Sequence, residues 1–352
     1  CDSNGGEGGG NPNRPQAESG SAGQPVNLFT GRETHKMTDM VLQGVYPIRV
    51  VRQYDSLSAY DSPLGYGWAF MHDKRLYTYP DNSVVIRYGC GQRKTFQPDG
   101  QGGYTTPPAS IRGSLAQNGS DFEFTYLNGN RDAYDSQGRL ARQVDVNGNY
   151  LQFSYSANKA DLIGTSPWAV DPGIPITVAR HYQLQSIAEF TADDVATGNQ
   201  VTFSYDATTG RLTGISSHDG RSVSYVHTVV VHNSTNLTNG NLITVNGLEG
   251  KVSSYQYTDA NFPHALTSIQ KEAGTTAYVN SYDPATQKVS QQTYGNQVFD
   301  IVYGGNTTTV TETITDENGA NPQSAVTVYE FNSVPEHDVK VKSGDWTKNA
   351  NK

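Results

Sequence analysis

The sequence predicts an all-β protein built from hairpins that repeat about every twenty residues. Three segments share one order, in which Tyr-Asp precedes a polar turn and an alternating run ends on tyrosine: 134–155, 205–225 and 282–303. The tyrosines of each segment lie 21, 20 and 21 residues apart, and a fixed period of this size is typical of repeat architectures. No long stretch has helical periodicity, which favours the same fold class.

Each unit has the pattern of a β-hairpin. Apolar side chains alternate along the strand that ends the first unit: Leu151, Phe153 and Tyr155. In the turn, Asp135 can accept backbone hydrogen bonds and Gly138 can take a positive φ without steric cost. Asn147-Gly148 matches the favoured two-residue type I′ turn. A hairpin of about twenty residues cannot bury its own face, so we expect neighbours on both sides.

A second pattern predicts irregular strand pairing. Leu184 and Ile187, and likewise Leu212 and Ile215, are apolar residues three positions apart. This is an odd step for a strand, in which alternate residues share a face. We therefore expect a β-bulge or a sharp twist at these places.

The repeated motif resembles the YD repeats of Rhs proteins, which include bacterial Rhs toxins, shell components of Tc toxins, wall-associated proteins and animal teneurins. The matching residues are Tyr134, Asp135, Gly138, Arg139 and Leu140, then Tyr205, Asp206, Gly210, Arg211 and Leu212, then Tyr282 and Asp283. The resemblance implies YD hairpins stacked into a spiral or shell-like sheet. In that family such sheets wind into a hollow cocoon around a cargo.

Four segments are expected along the chain. Residues 1–24 form a flexible tether rich in Gly, Ser and Asn, 25–110 an opening module, 111–334 the YD-repeat sheet, and 335–352 a polar tail or continuation. The opening module resembles the β-rich module that begins many Rhs shells, through Pro25–Gly31, Arg52–Tyr54 and Pro63–Trp68. Trp68 directly follows Gly65-Tyr66-Gly67, where the two glycines allow a close approach of the backbone, and it is expected to anchor the core of the module. An inserted loop at 161–182 is expected to pack around Trp168.

Charge and apolar content limit the location and the partners. A formal net charge of −9 gives no reason to expect nucleic acid as a partner. No apolar run approaches the ~20 residues that span a bilayer. Cys1, followed by the tether, looks like the start of a mature bacterial lipoprotein; the alternative is an arbitrary cleavage boundary. A lipid on Cys1 would be the membrane attachment of an extracellular or cell-surface protein. Cys90 is expected to be a small half-buried residue.

The search for a reaction centre finds no nucleophile elbow, zinc motif or phosphate loop. The eight histidines are scattered, and we expect surface or turn positions for all of them. The sequence therefore predicts a non-enzyme with no cofactor and no metal: a structural shell or scaffold segment, with toxin cargo as a possible partner. A cell-surface adhesin that binds glycan through Tyr- and Asn-rich strand faces is the alternative, beside a cell-surface hydrolase.

Strand edges predict further association. Residues 222–231 form a long β-branched run that would favour aggregation if it were exposed. No capping signal follows Tyr303. Unpaired edges recruit other strands. We expect the chain to be the first segment of a longer Rhs polypeptide, or a subunit that adds its strands to other copies, as in a filament.

Overall fold

The computed structural model describes residues 21–22, 26–58, 60–89, 91, 93–105, 113–156, 183–229, 240–271, 275–316, 318–331 and 339–346. The chain divides into two compact units. The first comprises Lys36–Gln53 and Ser58–Lys251, and the second comprises the segment up to His35, Tyr54–Leu57 and Val252–Lys352. Strands dominate both units, so the predicted all-β fold class is confirmed. Within the described ranges the only helical element is a 3-10 turn, Leu248–Gly250.

Short strands build the part of the chain expected to be the opening module. They are β1 (Ser21–Ala22), β2 (Val26–Asn27), β3 (Thr34–Leu42), β4 (Ile48–Asp55), β5 (Asp61–Ser62), β6 (Gly65–Tyr66), β7 (Trp68–Phe70), β8 (Arg75–Thr78), β9 (Val84–Arg87) and β10 (Arg93–Phe96). They pair as β1-β2, β3-β4-β7, β5-β6 and β8-β9-β10. The fully buried Trp68 lies on β7, as expected of a core anchor.

The repeat region forms antiparallel sheet in which each strand pairs with its neighbours in sequence. In the first unit the strands are β11 (Gly113–Asn118), β12 (Asp121–Tyr126), β13 (Arg131–Tyr134), β14 (Leu140–Val144), β15 (Tyr150–Tyr155), β16 (Leu184–Phe190), β17 (Ala196–Tyr205), β18 (Leu212–Ser217), β19 (Ser222–His227) and β20 (Leu242–Asn246). β19 pairs on both sides, so the described part of the β-branched run at 222–231 is an inner strand.

The second unit continues the same pattern of neighbouring antiparallel strands. Its repeat strands are β21 (Val252–Gln256), β22 (Ser268–Lys271), β23 (Thr275–Tyr282), β24 (Val289–Tyr294), β25 (Gln297–Tyr303), β26 (Thr307–Ile314), β27 (Gln323–Phe331) and β28 (Val339–Trp346). Buried apolar residues of this unit form a cluster: Ala22, Val26, Leu28, Ala265, Tyr282, Val289, Phe299, Ile301, Val310, Tyr329 and Phe331.

One segment boundary needs correction. Ser21–Ala22 pairs with Val26–Asn27, so the predicted tether to residue 24 extends too far; a buried alanine gives this short strand an apolar contact. For 335–352 the sequence left open a polar tail or a continuation, and residues 339–346 pair with β27 as a continuation of the sheet. The reason is the alternation of valine and lysine from Val339 to Lys342, a period of two that fits a strand. Residues 1–20 and the loop at 161–182 lie outside the described residues.

The predicted bulges are confirmed, but one turn type was wrong. Strand register shifts between Ser154 and Tyr155 and again between Ser204 and Tyr205. Each shift lies opposite one of the odd apolar steps, so one residue is inserted there. A type I′ turn at Asn147-Gly148 would need positive φ at both residues. Only Gly148, at +89°, has one, so the hairpin uses a longer loop closed by glycine.

Candidate functional site

The turn after each Tyr-Asp pair is the recurrent feature of the repeat sheet. Three are described, at residues 135–139, 206–211 and 283–288, and are called here the first, second and third repeat turns. In the first, Asp135 Oδ1 accepts the backbone N–H groups of Gln137 and Arg139, both at 3.0 Å. Gly138 has a φ of +72°, which is costly for residues with a Cβ. These residue types are therefore dictated by the turn.

The second and third repeat turns share one geometry. Each aspartate Oδ1 accepts a threonine hydroxyl, that of Thr209 at 2.9 Å or that of Thr286 at 2.8 Å. Hydrogen bonds from Thr209 hold the pKa of Asp206 below its usual range, and the Thr286 hydroxyl does the same for Asp283. In the third turn Gln287, with a φ of +59°, occupies the left-handed position of the glycine.

A fourth turn of this kind lies where the sequence analysis did not expect one. Asn27 Oδ1 accepts the backbone N–H of Phe29 at 3.0 Å and of Thr30 at 2.9 Å, and Gly31 has a φ of +72°. The order Asn-x-x-Thr-Gly-Arg from Asn27 matches Asp-x-x-Thr-Gly-Arg in the second repeat turn. Asparagine in place of aspartate, without a preceding tyrosine, concealed the match.

Tyrosines at strand ends bond back to the preceding strand of the same hairpin. In each case the phenol hydroxyl donates to a backbone carbonyl at or just before the start of the preceding strand. The bonds run from Tyr155 to Leu140 at 2.9 Å, Tyr205 to Leu184 at 2.8 Å, Tyr282 to Leu266 at 2.7 Å and Tyr303 to Val289 at 2.8 Å. Burial raises the pKa of Tyr155 to about 12, so it stays a hydrogen-bond donor at neutral pH. The tyrosine that ends a repeat strand thus has a structural role as a hydrogen-bond donor.

Segments before residue 97 hydrogen-bond to every one of the three repeat turns. In the first unit, the Leu76 N–H donates to the Gly138 carbonyl at 2.9 Å, and the Leu212 N–H donates to the Pro63 carbonyl at 2.9 Å. In the second unit, the Val289 N–H donates to the Gly31 carbonyl at 3.0 Å. Each contact adds a backbone hydrogen bond either inside the turn, at Gly138, or at the residue that follows it, at Leu212 and Val289. These contacts, with the buried polar groups around them, are the candidate functional site.

Gly138→Ala is expected to destabilise the first unit beyond the cost of its positive φ. A Cβ there would lie 1.9 Å from the Leu76 carbonyl oxygen, a backbone atom, whereas a Cβ on Gly119, with a φ of +64°, meets nothing within 4 Å. Overpacking of this kind costs ~1–3 kcal/mol. Denaturant titration of both variants checks this, because Gly119→Ala carries the φ penalty without the collision. Equal losses in the two variants would contradict the close approach.

Arg211 of the second repeat turn forms a buried ion pair with Asp61. Its Nη1 donates to Asp61 Oδ1 at 2.5 Å and its Nη2 donates to Oδ2 at 2.9 Å, and the two side chains are 3% and 2% exposed. Nη1 also donates to the Ser62 carbonyl at 2.6 Å. Burial raises the pKa of Asp61 to about 6 in spite of the guanidinium. The arginine of the repeat motif is thus a specific contact to an early segment of the chain.

A second buried arginine joins β3, β4 and β19. Arg52 Nη1 donates to Asp39 Oδ1, and the Tyr225 hydroxyl donates to Asp39 Oδ2 at 2.7 Å. The guanidinium carbon lies 5.6 Å from the centre of a Trp68 ring. Carboxylate, phenol and indole together enclose the cation, which makes its burial tolerable.

Polar residues interrupt an otherwise apolar row on the buried face of the first-unit sheet. Cross-strand pairing places in one row Leu115, Phe124, Asp132, Gln143, Leu151 and Glu189. Lys74 Nζ donates to Asp132 Oδ2 at 2.6 Å. Glu189 Oε1 accepts the Tyr46 N–H at 2.5 Å. Polar residues that break the alternation therefore mark where earlier segments bind the sheet.

Three histidines correct the expectation that all of them are surface or turn residues. His35 on β3 is buried, and His72 and His227 are half-buried. His72 Nδ1 lies 2.9 Å from Gln143 Oε1 and its Nε2 lies 2.7 Å from the Arg49 carbonyl, and burial lowers its pKa. His227 Nε2 lies 3.1 Å from the Leu64 carbonyl, and burial lowers its pKa to about 4. Sequence alternation alone could not reveal these contacts.

Glu33 is the more deeply buried of two buried carboxyls in the described part of the second unit, the other being Asp55. It is 0% exposed. Its Oε1 accepts the Tyr278 hydroxyl, and its Oε2 accepts the Asn280 amide at 2.8 Å and lies 3.2 Å from the Tyr282 hydroxyl oxygen. These donors are uncharged, so desolvation dominates and raises the pKa of Glu33 to about 7.

A small cavity lies among aromatic and charged groups of the first unit. Its volume is about 50 Å³, and it is lined by residues that include Tyr60, His72, Asp73, Arg75, Tyr155 and Tyr205. A water molecule occupies about 30 Å³ of liquid, so the space fits one or two waters. Among the residues that the structure describes, no group of three His, Cys, Asp or Glu side chains could hold a metal ion, and no helix is long and apolar enough to cross a membrane. Cys1 and Cys90 lie outside the described residues.

Comparison with protein families gives one match. A family model described as a domain of unknown function, DUF6531, covers residues 23–96, within two residues of the start predicted for the opening module. That range is 74 of the chain's 352 residues. No curated protein matches the chain.

Solved structures similar to the chain include the crystal structure of TcdB2-TccC3, with 10% sequence identity and a TM-score of 0.35 over 90% of this chain and 20% of that chain. The same complex without its hypervariable C-terminal region gives 11% identity and a TM-score of 0.31, over 84% and 17% of the two chains. A porin-like protein from Bacteroides uniformis gives 11% sequence identity and a TM-score of 0.21, over 90% of this chain and 98% of that chain. This chain thus spans about a fifth of the TcdB2-TccC3 chain, and the likeness concerns a strand-rich fold alone.

Proposed function

We propose that the chain is an extracellular structural segment of a YD-repeat shell, whose opening module covers the buried face of the repeat turns. The observation that carries this proposal is that the three repeat turns hydrogen-bond to Leu76, Pro63 and Gly31. A single YD hairpin leaves one apolar face without a partner. The opening module supplies that partner and gives the stacked hairpins a defined beginning.

The charged groups of the interior support a structural role over a hydrolytic one. Asp61, Asp132 and Glu189 each bind donors that come from a distant part of the chain. Carboxylates engaged in this way hold segments together, whereas a general acid or base must reach a substrate. The protein is accordingly proposed to be a scaffold without cofactor or metal.

The distribution of tyrosines favours the shell over the glycan-binding adhesin. Seven tyrosines of the repeat strands are at most 6% exposed: Tyr134, Tyr150, Tyr225, Tyr255, Tyr278, Tyr282 and Tyr329. The opposite face of β17 to β20 presents small polar side chains around a shallow depression, among them Ser204, Thr213, Ser216, Ser222, Ser224 and Asn246. Sugar recognition through stacked rings needs aromatic side chains at the surface, and these rings are turned inward.

The partners proposed for this shell are further YD strands, from the same polypeptide or from other copies, with toxin cargo inside. β11 and β28 each pair with one neighbour in the described sheet, and edge strands of this kind recruit additional strands. A lipid on Cys1, if the native protein carries one, would attach the shell to a bacterial surface. The mass of the N-terminal peptide from the native source tests that attachment.

Native material is expected to sediment as a species larger than the 38.2 kDa of this chain, because open sheet edges associate. Analytical ultracentrifugation distinguishes the versions: a longer parent chain supports a cocoon segment, and regular fibres of this chain alone support a filament. A monodisperse 38.2 kDa species would refute both. The same sample on a glycan array should be silent, and reproducible binding there would select the adhesin. Hydrolytic turnover abolished by a single carboxylate or histidine substitution would overturn the structural role.

A further inference from the structure

Lys74 and Asp132 form a contact that differs from the other buried ion pairs of the first unit, whose cations are arginines. Lys74 Nζ lies 2.6 Å from Asp132 Oδ2, and the two side chains are 4% and 2% exposed. The ammonium lies 5.9 Å from the centre of the Tyr88 ring and 5.7 Å from that of Tyr126. A primary amine and a carboxyl group are thus held together away from water. An arginine in the same place could not act as a nucleophile at neutral pH.

We propose that Lys74 and Asp132 condense into an intramolecular amide, which links the opening module covalently to β13. In the reaction the Lys74 ammonium transfers one proton to the Asp132 carboxylate. The neutral amine nitrogen then attacks Cγ, the N–Cγ bond forms, and the Cγ–Oδ2 bond breaks. Oδ2 leaves as water with the protons that the nitrogen gives up. No oxidant, metal or other reactant is consumed.

Proximity makes this condensation favourable inside the protein although amides hydrolyse in water. Groups fixed at reacting distance behave as if present at about 10⁵–10⁸ M, far above the concentration of water. Burying two charged groups has a desolvation cost even when they are paired. The product amide removes both charges from the interior.

Two neighbouring side chains have the positions that the reaction requires. The Tyr126 hydroxyl donates to Asp132 Oδ2 at 2.6 Å and also accepts from Lys74 Nζ at 3.4 Å. It can therefore take a proton from the nitrogen and give its own proton to the leaving oxygen. The Gln143 amide donates to Asp132 Oδ1 at 2.9 Å, the oxygen on which negative charge develops when nitrogen attacks. Tyr126 is thus assigned a catalytic role.

Mass spectrometry of the purified, denatured chain tests the proposal. The linked protein should weigh about 18 Da less than its sequence, the mass of one water lost by covalent modification. Proteolysis should release one branched peptide that contains both Lys74 and Asp132. The exposed pair Lys251 and Glu249, at 62% and 80%, serves as an internal control, because water surrounds it and no branched peptide should form.

Variants separate the amide from other losses of water. Lys74→Arg and Asp132→Ala should have their full sequence masses, whereas Lys251→Arg should still show the loss. Asp132→Asn should lose ammonia in place of water, about 17 Da, and give the same branched peptide as the wild type. Tyr126→Phe should convert at least ~10-fold more slowly than the wild type, as expected when a proton-transfer group is removed.

A full sequence mass for the folded wild type, unchanged after prolonged incubation at neutral pH, would overturn the proposal. That single measurement requires no variant to fold. Branched peptides that join other residues, or a mass loss that persists in Lys74→Arg, would overturn it as well. Circular dichroism of each variant shows whether an unlinked mass comes from a folded chain.

Discussion

Arg211→Met is expected to lower the free energy of unfolding of the first unit by about 3–5 kcal/mol, because it leaves a buried carboxylate without its cation. The carboxylate of Asp61 is 2% exposed and receives two hydrogen bonds from the guanidinium. Methionine fills much of the arginine volume and supplies no donor. Chemical denaturation followed by tryptophan fluorescence measures the effect, since the fully buried Trp68 reports on the same unit.

An exposed pair in the same unit is the matched control for this prediction. Arg221 and Asp219 are 41% and 39% exposed, and pairs of this kind contribute about 0–1 kcal/mol. Arg221→Met should therefore change stability little. Asp61→Leu together with Arg211→Met should recover much of the loss, because the pair is replaced by apolar side chains. Similar losses in Arg211→Met and Arg221→Met would show that the buried pair does not hold this segment.

Stability of the second unit is expected to fall as the pH rises from 5 to 8, through Glu33. Burial raises its pKa from 4.5 to about 7. Below pH 4.5 the carboxyl is protonated in both states, so its contribution to stability is fully present. Between 4.5 and 7 the unfolded chain loses the proton first, and the folded state becomes less favourable. The 2.5-unit difference amounts to roughly 3 kcal/mol above pH 7.

Glu33→Gln isolates this effect from the other buried carboxyls. The amide cannot ionise, so the difference in stability between pH 5 and pH 8 should shrink by roughly 2–3 kcal/mol. Denaturant titrations of the wild type and the variant at both pH values give the comparison. Glu249→Gln changes a side chain that is 80% exposed, so this variant should keep the wild-type dependence of stability on pH. An unchanged pH dependence in Glu33→Gln would mean that Glu33 is ionised in the folded state at pH 5.

Much of the fold could be predicted from residues that are close together in the sequence. The Asp135 turn follows from its residue types, because aspartate accepts neighbouring N–H groups and glycine allows positive φ. The bulges opposite Tyr155 and Tyr205 follow from apolar residues three positions apart, a step that regular pleating does not permit. Such features depend on residues close together in sequence, so a single sequence suffices to predict them.

Contacts between distant segments could not be predicted from neighbouring residues in this way. Arg211 was expected as part of a repeat motif, yet its partner Asp61 lies 150 residues away. His72 and Glu33 carried no signal of burial, since their neighbours in sequence are polar or irregular and their bonding partners come from other strands. The Asn27 turn was concealed by one substitution, although its geometry repeats that of Asp206.

By itself, the sequence determined the strand-rich fold, the period of the hairpins, the chemistry of their turns and Trp68 as a core anchor. Only the tertiary structure decided which charged residues are buried, which carbonyls the tyrosines bind, and where Leu76, Pro63 and Gly31 pair with the repeat turns. The physical reason is the range of the forces. Propensity and alternation act over a few residues, whereas burial and the pairing of Lys74 with Asp132 depend on which segments the folded chain brings together.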